Sequence, residues 1–380
     1  MSEDLDLHQP LPYRLTPEQL AGNELFRNLA TPIDHSAFPD IRDAQLFIRQ
    51  DGLIVNAEGW FHPSGSLVGE VLYAPDLRGD RAIFGHQYRK LSLYPGTYDP
   101  VPYDQRGKLF GQYDPSLDQT HSNPYFARYK QIFPRSEFAA YISGERVFQQ
   151  LMPRLAAEGD EVVRDIESVG TIIGLDLSNI EMGFTGAPSF GNLDDLHDLD
   201  IIFSGTLEEN QAIAKAMRET VRTQAERRLT EGGKGWNIRL FNDRRTLICS
   251  FFTYKNPEDA PLRTFEMEIL SPDVIIEGEV FSDVHSIYTP TVLGVDRARL
   301  LRVGDQESDS SIDEPLQLIA YHTATRGECF EGDNVRARGA LVQVTTPTSQ
   351  HLGVCVIERE GIRNLTPTWP DFYEEQGTAA

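Results

Sequence analysis

The feature that most constrains this chain is the run Asp198-Leu199-Asp200-Ile201-Ile202-Phe203. It reads as an apolar strand carrying two carboxylates one residue apart. Successive side chains of a strand alternate between its faces, so Asp198 and Asp200 share one face. Two such oxygen ligands hold a divalent metal of the Mg²⁺ or Mn²⁺ type together with a nucleotide's phosphates. Upstream lies Gly183-Phe184-Thr185-Gly186-Ala187, a Gly-rich turn that lets backbone approach phosphates closely. Gly186 is expected to make that approach, with Thr185 and Ser189 as hydroxyl donors. A bare Asp-x-Asp is usually a solvated pair. What gives this one weight is the order around it: amphipathic helix, short strand, Gly turn, carboxylate strand, helix.

The patterning on either side supplies those elements. Val162, Val163, Ile166, Val169, Ile172 and Ile173 give a helical apolar face, and Val147, Leu151 and Leu155 repeat at helical spacing around Pro153, a kink site. The spacing predicts a short strand over Asn179–Phe184 and the carboxylate strand over Leu199–Phe203. Thr206-Leu207-Glu208-Glu209 is a capping box, with Thr206 as N-cap and Glu209 at N3. The next helix carries Ile213, Met217 and Val221 on one side, and Gly232, Gly233 and Gly235 are expected to end it. Thr246–Thr253 and Thr264–Leu270 read as strands. Before this block, strands are expected over Asp43–Arg49, Leu53–Val55 and Leu67–Tyr73, with Asp51-Gly52 as a hairpin turn. After it, the apolar runs Val274–Ile276, Val280-Phe281, Ala340–Val344 and Gly353–Ile357 suggest a small barrel or sandwich.

Taken together with these elements, the motif resembles the nucleotidyltransferase superfamily of the DNA polymerase beta type. That signature is an apolar residue, Gly, Gly or Ser, a spacer, then Asp-apolar-Asp-apolar. One position departs from it. Gly186-Ala187 stands where the family has Gly-Gly or Gly-Ser, and Ala187 has no hydroxyl for a triphosphate oxygen; Ser189 lies two residues on, beyond Pro188. The whole chain is similar to a little-characterised group of predicted nucleotidyltransferases found widely in archaea. The similarity runs through Asp51-Gly52-Leu53-Ile54, Phe61-His62-Pro63, Gly79-Asp80-Arg81, Tyr288-Thr289-Pro290 and Ala337-Arg338-Gly339-Ala340-Leu341.

The resemblance implies an α+β protein. A central nucleotidyltransferase-type domain with a mixed sheet, residues 145–275, would be flanked by an N-terminal mixed region, 1–144, and a C-terminal small β-rich domain with a tail, 276–380. It implies a metal-dependent transfer of a nucleoside monophosphate from a nucleoside triphosphate to a small-molecule or protein acceptor, with release of pyrophosphate. Asp198 and Asp200 would be catalytic metal ligands, and a third carboxylate on a neighbouring strand would activate the acceptor or complete a second metal site. Glu266 and Glu268 are the candidates. Thr264-Phe265-Glu266-Met267-Glu268-Ile269 alternates strictly, so both share a face, and Glu268 lies deeper in the strand run. The alternatives are a nucleotide-binding sensor without turnover, which Ala187 motivates, and an interaction protein whose acidic strand is merely solvated.

Charge narrows the partners. The net charge of -23 opposes long polyanions, because phosphate backbones need clustered Lys and Arg. Arg218, Arg222, Arg227 and Arg228 read as a solvated helix face rather than a basic groove. No run of about 18 apolar residues is present to span a membrane, and the acidic start lacks a signal peptide's features, so a cytoplasmic location is expected. Cys249, Cys329 and Cys355 are too few and too scattered for a zinc module or a disulfide framework and read as buried thiols. Lys234, in Glu231-Gly232-Gly233-Lys234-Gly235, lacks a P-loop frame and reads as a solvated turn lysine. His197 beside Asp198 superficially suits a phosphohydrolase, but the pair enters a strand. His62, His86 and His322 are weak acceptor-pocket candidates. Arg326, Arg336 and Arg338 are candidates to hold an anionic acceptor or nucleotide, but read first as surface charges that pair with Glu328, Glu331 and Asp333.

Overall fold

A computed structural model describes residues 13–93, 101, 103–117, 130–193 and 198–373. The chain is α+β and divides into two compact units, Met1–Leu151 with Phe184–Asn192, and Met152–Gly183 with Leu193–Ala380. The divisions fall inside the helix Gly144–Glu158, next to Pro153, and at the end of the short strand Glu181–Phe184.

The first unit is built on an antiparallel sheet. Leu46–Arg49 and Ile54–Ala57 form the expected hairpin, and Gly52 sits at φ +87° in its turn. The long strand Ser66–Pro75 pairs with Ile54–Ala57, with His86–Lys90 and with Gln131–Pro134. Phe47, Val55, Leu67, Val71, Phe133 and Phe138 are buried together as its core. Burying a large apolar side chain stabilises the fold by about 1.5–3 kcal/mol relative to leaving it in water, so this cluster is where the unit's stability is concentrated.

The second unit has two main sheets and a separate two-strand hairpin. The smaller one has the order Arg239–Phe241, Leu247–Tyr254, Asp198–Gly205, Glu181–Phe184. Asp198–Gly205 and Leu247–Tyr254 run parallel, and Arg239–Phe241 is antiparallel to Leu247–Tyr254. One face is apolar: Leu199, Ile201, Phe203, Ile248 and Phe252 are all buried, as are Ile213, Met217 and Val221 of the helix Leu207–Thr223. The Ser250 hydroxyl, on that same face, donates to Met217 Sδ at 3.3 Å. The helix starts as expected: Thr206 Oγ1 accepts from Glu209 N–H, and Glu209 Oε2 accepts from Thr206 N–H. It ends at Thr223, earlier than expected. Gly232 and Gly233, at φ +62° and +85°, instead turn a two-strand hairpin between Thr230-Glu231 and Lys234-Gly235. Two consecutive left-handed residues are what such a tight turn requires.

The larger sheet closes on itself. Glu266–His285, Thr291–Val303, Leu316–Ala320, Gln350–Val356 and Asn334–Thr345 follow in order, and Asn334–Thr345 returns to pair with Glu266–His285. This is the barrel alternative of the sequence reading. Its interior holds Val274, Ile276, Val280, Leu293, Val295, Leu318, Val335 and Val354.

The three blocks read from the sequence are therefore not the compact units. Glu266–His285 is one twenty-residue strand that runs straight across the expected boundary at 275. Side chains also join the helix and small sheet to the barrel. Asn210 Nδ2 donates to Tyr288 Oη, Gln211 Nε2 to Asp283 O, and Asn237 Nδ2 to Gly327 O. Arg218 makes two hydrogen bonds to Asp333, at 2.8 and 2.9 Å. Among the described residues no helix is long and apolar enough to cross a membrane.

Candidate metal and phosphate site

The site grows from the second face of the small sheet. Residues that pair across adjacent strands project to the same side. Asp200 pairs with Cys249, and Cys249 pairs on its other side with Arg239. Asp198 lies two residues before Asp200 and shares its face. One row across three strands thus carries carboxylate, thiol and guanidinium. Leu199, Ile201 and Phe203 point the other way, into the helix, which fixes the register of the whole row.

One carboxylate oxygen each from Asp198 and Asp200 and the Cys249 sulfur lie within 4.8 Å of one another. Asp198 is exposed, Asp200 half-buried and Cys249 buried. The set is open to ligand at one end and anchored in the sheet at the other. Arg239 completes it. Its guanidinium lies 3.9 Å from the Trp236 ring centroid, and its Nη1 donates to Glu231 Oε2 at 3.1 Å. Burial works against the Arg239 charge, yet Cys249, Glu231, Asp200 and Asp198 together hold its pKa above the ordinary value. Burial likewise pushes the Cys249 thiol well above its usual range; Arg239 opposes this, and Asp200, Asp198 and Glu231 add to it. The Cys249 sulfur makes no hydrogen bond among the described residues.

The hairpin that delivers Arg239 and Cys249 is pinned from behind. Asp165, on the helix Glu161–Ile173, accepts from Asn242 Nδ2 at 2.7 Å and from the Thr246 hydroxyl at 3.0 Å, and Arg244 Nε lies 3.0 Å from the same carboxylate. Asp165 is buried and fully engaged, so its part is to position the strands.

The expected third carboxylates stand elsewhere. Glu266 and Glu268 are exposed on the barrel strand, opposite Thr345 and Gln343, and are not in the donor group. Their predicted common face is right; the strand simply belongs to the barrel rather than to the small sheet. The carboxylate that acts electrostatically on Cys249 and Arg239 besides the Asp pair is Glu231.

The Gly turn belongs to the first unit. Gly186 adopts φ +64° and ψ -142°, a conformation open to glycine alone, so the turn does require that residue. Thr185 and Ser189 are buried, and their hydroxyls donate to Ala44 O at 3.4 Å and Phe184 O at 3.1 Å. A hydroxyl has one proton, so as they stand neither is a donor to phosphate.

Other expectations resolve individually. Lys234 is buried rather than solvated: it pairs with Glu328 and donates to Ala324 O, while the Tyr373 hydroxyl donates to the other Glu328 oxygen at 2.5 Å. Arg336 pairs with Glu277 and Arg338 with Asp273, both on the adjoining barrel strand, not with the nearby acids of their own segment. Arg326 covers the Phe251 ring. Arg222 pairs with Glu219 and Arg227 with Asp243. Arg228 stacks on Trp369 and donates to two helix-end carbonyls. His62 is half-buried with Nδ1 accepting from Val68 N–H, His322 caps a turn through Ala324 N–H, and His86 is half-exposed in a strand. His197 lies outside the described residues. All three cysteines are buried and none forms a disulfide among the described residues.

Sequence reasoning missed Arg239, Glu231 and the position of Cys249. Trp236 three residues before Arg239 was the available signal for a stacked cation. Compared with known proteins, the chain gives no match to any family model, curated protein or solved structure.

Proposed function

We propose that this chain is a metal-dependent nucleotidyltransferase, moving a nucleoside monophosphate from a nucleoside triphosphate to a small-molecule or protein acceptor. The observation that carries the reading is the row of Asp198, Asp200 and Arg239 on the face of the small sheet opposite its helix. Carboxylates and a guanidinium so arranged suit opposite ends of one ligand. Asp198 and Asp200 would hold a divalent cation of the Mg²⁺ or Mn²⁺ type, and Arg239 would pair with phosphate oxygens through its planar fork. The cation, when bound, offsets negative charge on the triphosphate.

In the reaction an acceptor hydroxyl attacks the α-phosphorus. The new O–P bond forms as the bond to the bridging oxygen breaks, and pyrophosphate leaves with the electron pair. The hydroxyl proton passes to a base, in solvent or on the acceptor, since Asp198 and Asp200 are committed to the cation. The Trp236 face and Glu231 hold Arg239 in place, so little ordering entropy is lost when it binds phosphate.

A nucleotide-binding sensor without turnover is the second reading. It is favoured by Ala187, by the engaged hydroxyls of Thr185 and Ser189, and by the absence of a third carboxylate from the donor group among the described residues. Nucleoside triphosphates labelled at the α-phosphate separate the two. Metal-dependent transfer of label to a hydroxyl acceptor, lost in Asp198→Asn, is the expected result. Metal-dependent binding without transfer to any acceptor in a pool of small hydroxyl compounds and proteins would favour the sensor.

A further inference from the structure

We propose that Cys249 is the third protein ligand of the Asp198–Asp200 cation site. The site would then prefer a thiolate-accepting divalent metal such as Zn²⁺ over Mg²⁺. The inference rests on the reading of the two aspartates as ligands and goes beyond it in naming the metal class.

Two independent observations carry it. The first is register. Two strands flank the carboxylate strand, Leu247–Tyr254 and Glu181–Phe184, and on the first of them Cys249 is the residue directly paired with Asp200. Its neighbours on the same face are Leu247 and Phe251, which offer no donor atom, and Phe251 lies under Arg326. The second is the state of the thiol. It is 3% exposed, makes no hydrogen bond among the described residues, and stands within 4.8 Å of an oxygen from each carboxylate. A cysteine serving only as a small apolar filler is better placed among apolar side chains than against two acids. Cys329 and Cys355 are equally buried, yet neither joins a comparable donor group among the described residues.

Donor chemistry then selects the ion. Mg²⁺ takes oxygen ligands almost exclusively, whereas sulfur with carboxylate oxygens suits Zn²⁺ and Co²⁺. Three protein ligands leave room for an oxygen of water or substrate, as in metal sites that act on ligands. On binding, the sulfur–metal bond forms as the S–H bond breaks, and the proton leaves to solvent.

The test uses the full chain, stripped of metal by a chelator and titrated with Co²⁺. The expected result is a sulfur-to-cobalt charge-transfer band, lost in Cys249→Ser but retained in Cys329→Ser and Cys355→Ser. Zn²⁺ should displace the Co²⁺ at a concentration at least about tenfold below Mg²⁺. X-ray absorption of the Zn²⁺-loaded wild type gives a reading that needs no variant: one sulfur in the first shell, at about 2.3 Å. Co²⁺ bound without the band, or a band that survives Cys249→Ser, would overturn the ligand assignment while leaving the aspartate site standing. Absence of binding by Co²⁺, Zn²⁺, Mn²⁺ and Mg²⁺ alike would overturn both.

Discussion

Two ionisable clusters in the second unit are treated in opposite ways. Around Lys234, every charge meets a partner from the protein: Glu328 takes the ammonium, Tyr373 takes the other carboxylate oxygen, and Ala324 supplies a carbonyl. Around Asp200, two carboxylates and a thiol crowd together on the two inner strands of the small sheet, with Arg239 set to the side against Trp236. The first arrangement is complete in itself and ties the hairpin to the barrel and the C-terminal segment. The second brings donor atoms together, as a ligand would require.

The largest expected effect breaks the first cluster. Glu328→Gln leaves Lys234 buried without its counter-charge and should cost about 3–5 kcal/mol, read as a lower urea midpoint. A loss under about 1 kcal/mol would mean that the pair is solvated after all. Met217→Ala tests the backing of the second cluster. It should cost about 2–5 kcal/mol through the cavity left under the small sheet, and the lost support should also weaken metal binding.

Acid sharpens the contrast through histidines that the fold keeps neutral. Burial lowers the His285 pKa to about 4, with Asp259 opposing, and Tyr254 Oη lies 3.0 Å from its Nδ1. Burial, with Arg135 and Lys130, lowers His62 to about 3, and the backbone of Gly59 opposes the shift. The unfolded chain binds protons at these sites below about pH 6.5, the folded chain only at the lower values. Stability is therefore full above pH 6.5 and is lost as the pH falls toward 4. For His285 the loss is on the order of 3 kcal/mol at most. Urea midpoints across that range should fall in the wild type and less in His285→Gln; an identical slope in both would remove His285 from the account. The smallest effect on stability is expected at the second cluster itself. Asp198→Asn and Asp200→Asn should each change unfolding free energy by no more than about 0.5 kcal/mol, because neither side chain is built into the core.

These contrasts also mark what the sequence could tell. The shared face of Asp198 and Asp200 was legible because a strand alternates, and the Thr206–Glu209 cap because both partners lie within one turn. Cys249 was seen as a buried thiol but not as a neighbour of Asp200, since the register of two parallel strands is set by tertiary packing that local pattern does not record. Glu266 and Glu268 show the converse: their common face was correct, while their sheet was not, because an alternating strand does not announce its partner. Lys234 defeated the composition rule for glycine turns, since its counter-charge, Glu328, lies far away in sequence. The closed barrel was expected only as one of two shapes, and its closure depends on a single strand long enough to meet neighbours on both sides.

The central claim is that Asp198 and Asp200 hold a cation that binds a nucleotide. Calorimetric titration of each nucleoside triphosphate tests it most directly, with and without Mg²⁺, Mn²⁺ or Zn²⁺, on the wild type and on Asp200→Asn. The account predicts binding that requires the metal and disappears in the variant while the fold persists. Equal binding by both proteins, or none by the wild type in any metal, would contradict it.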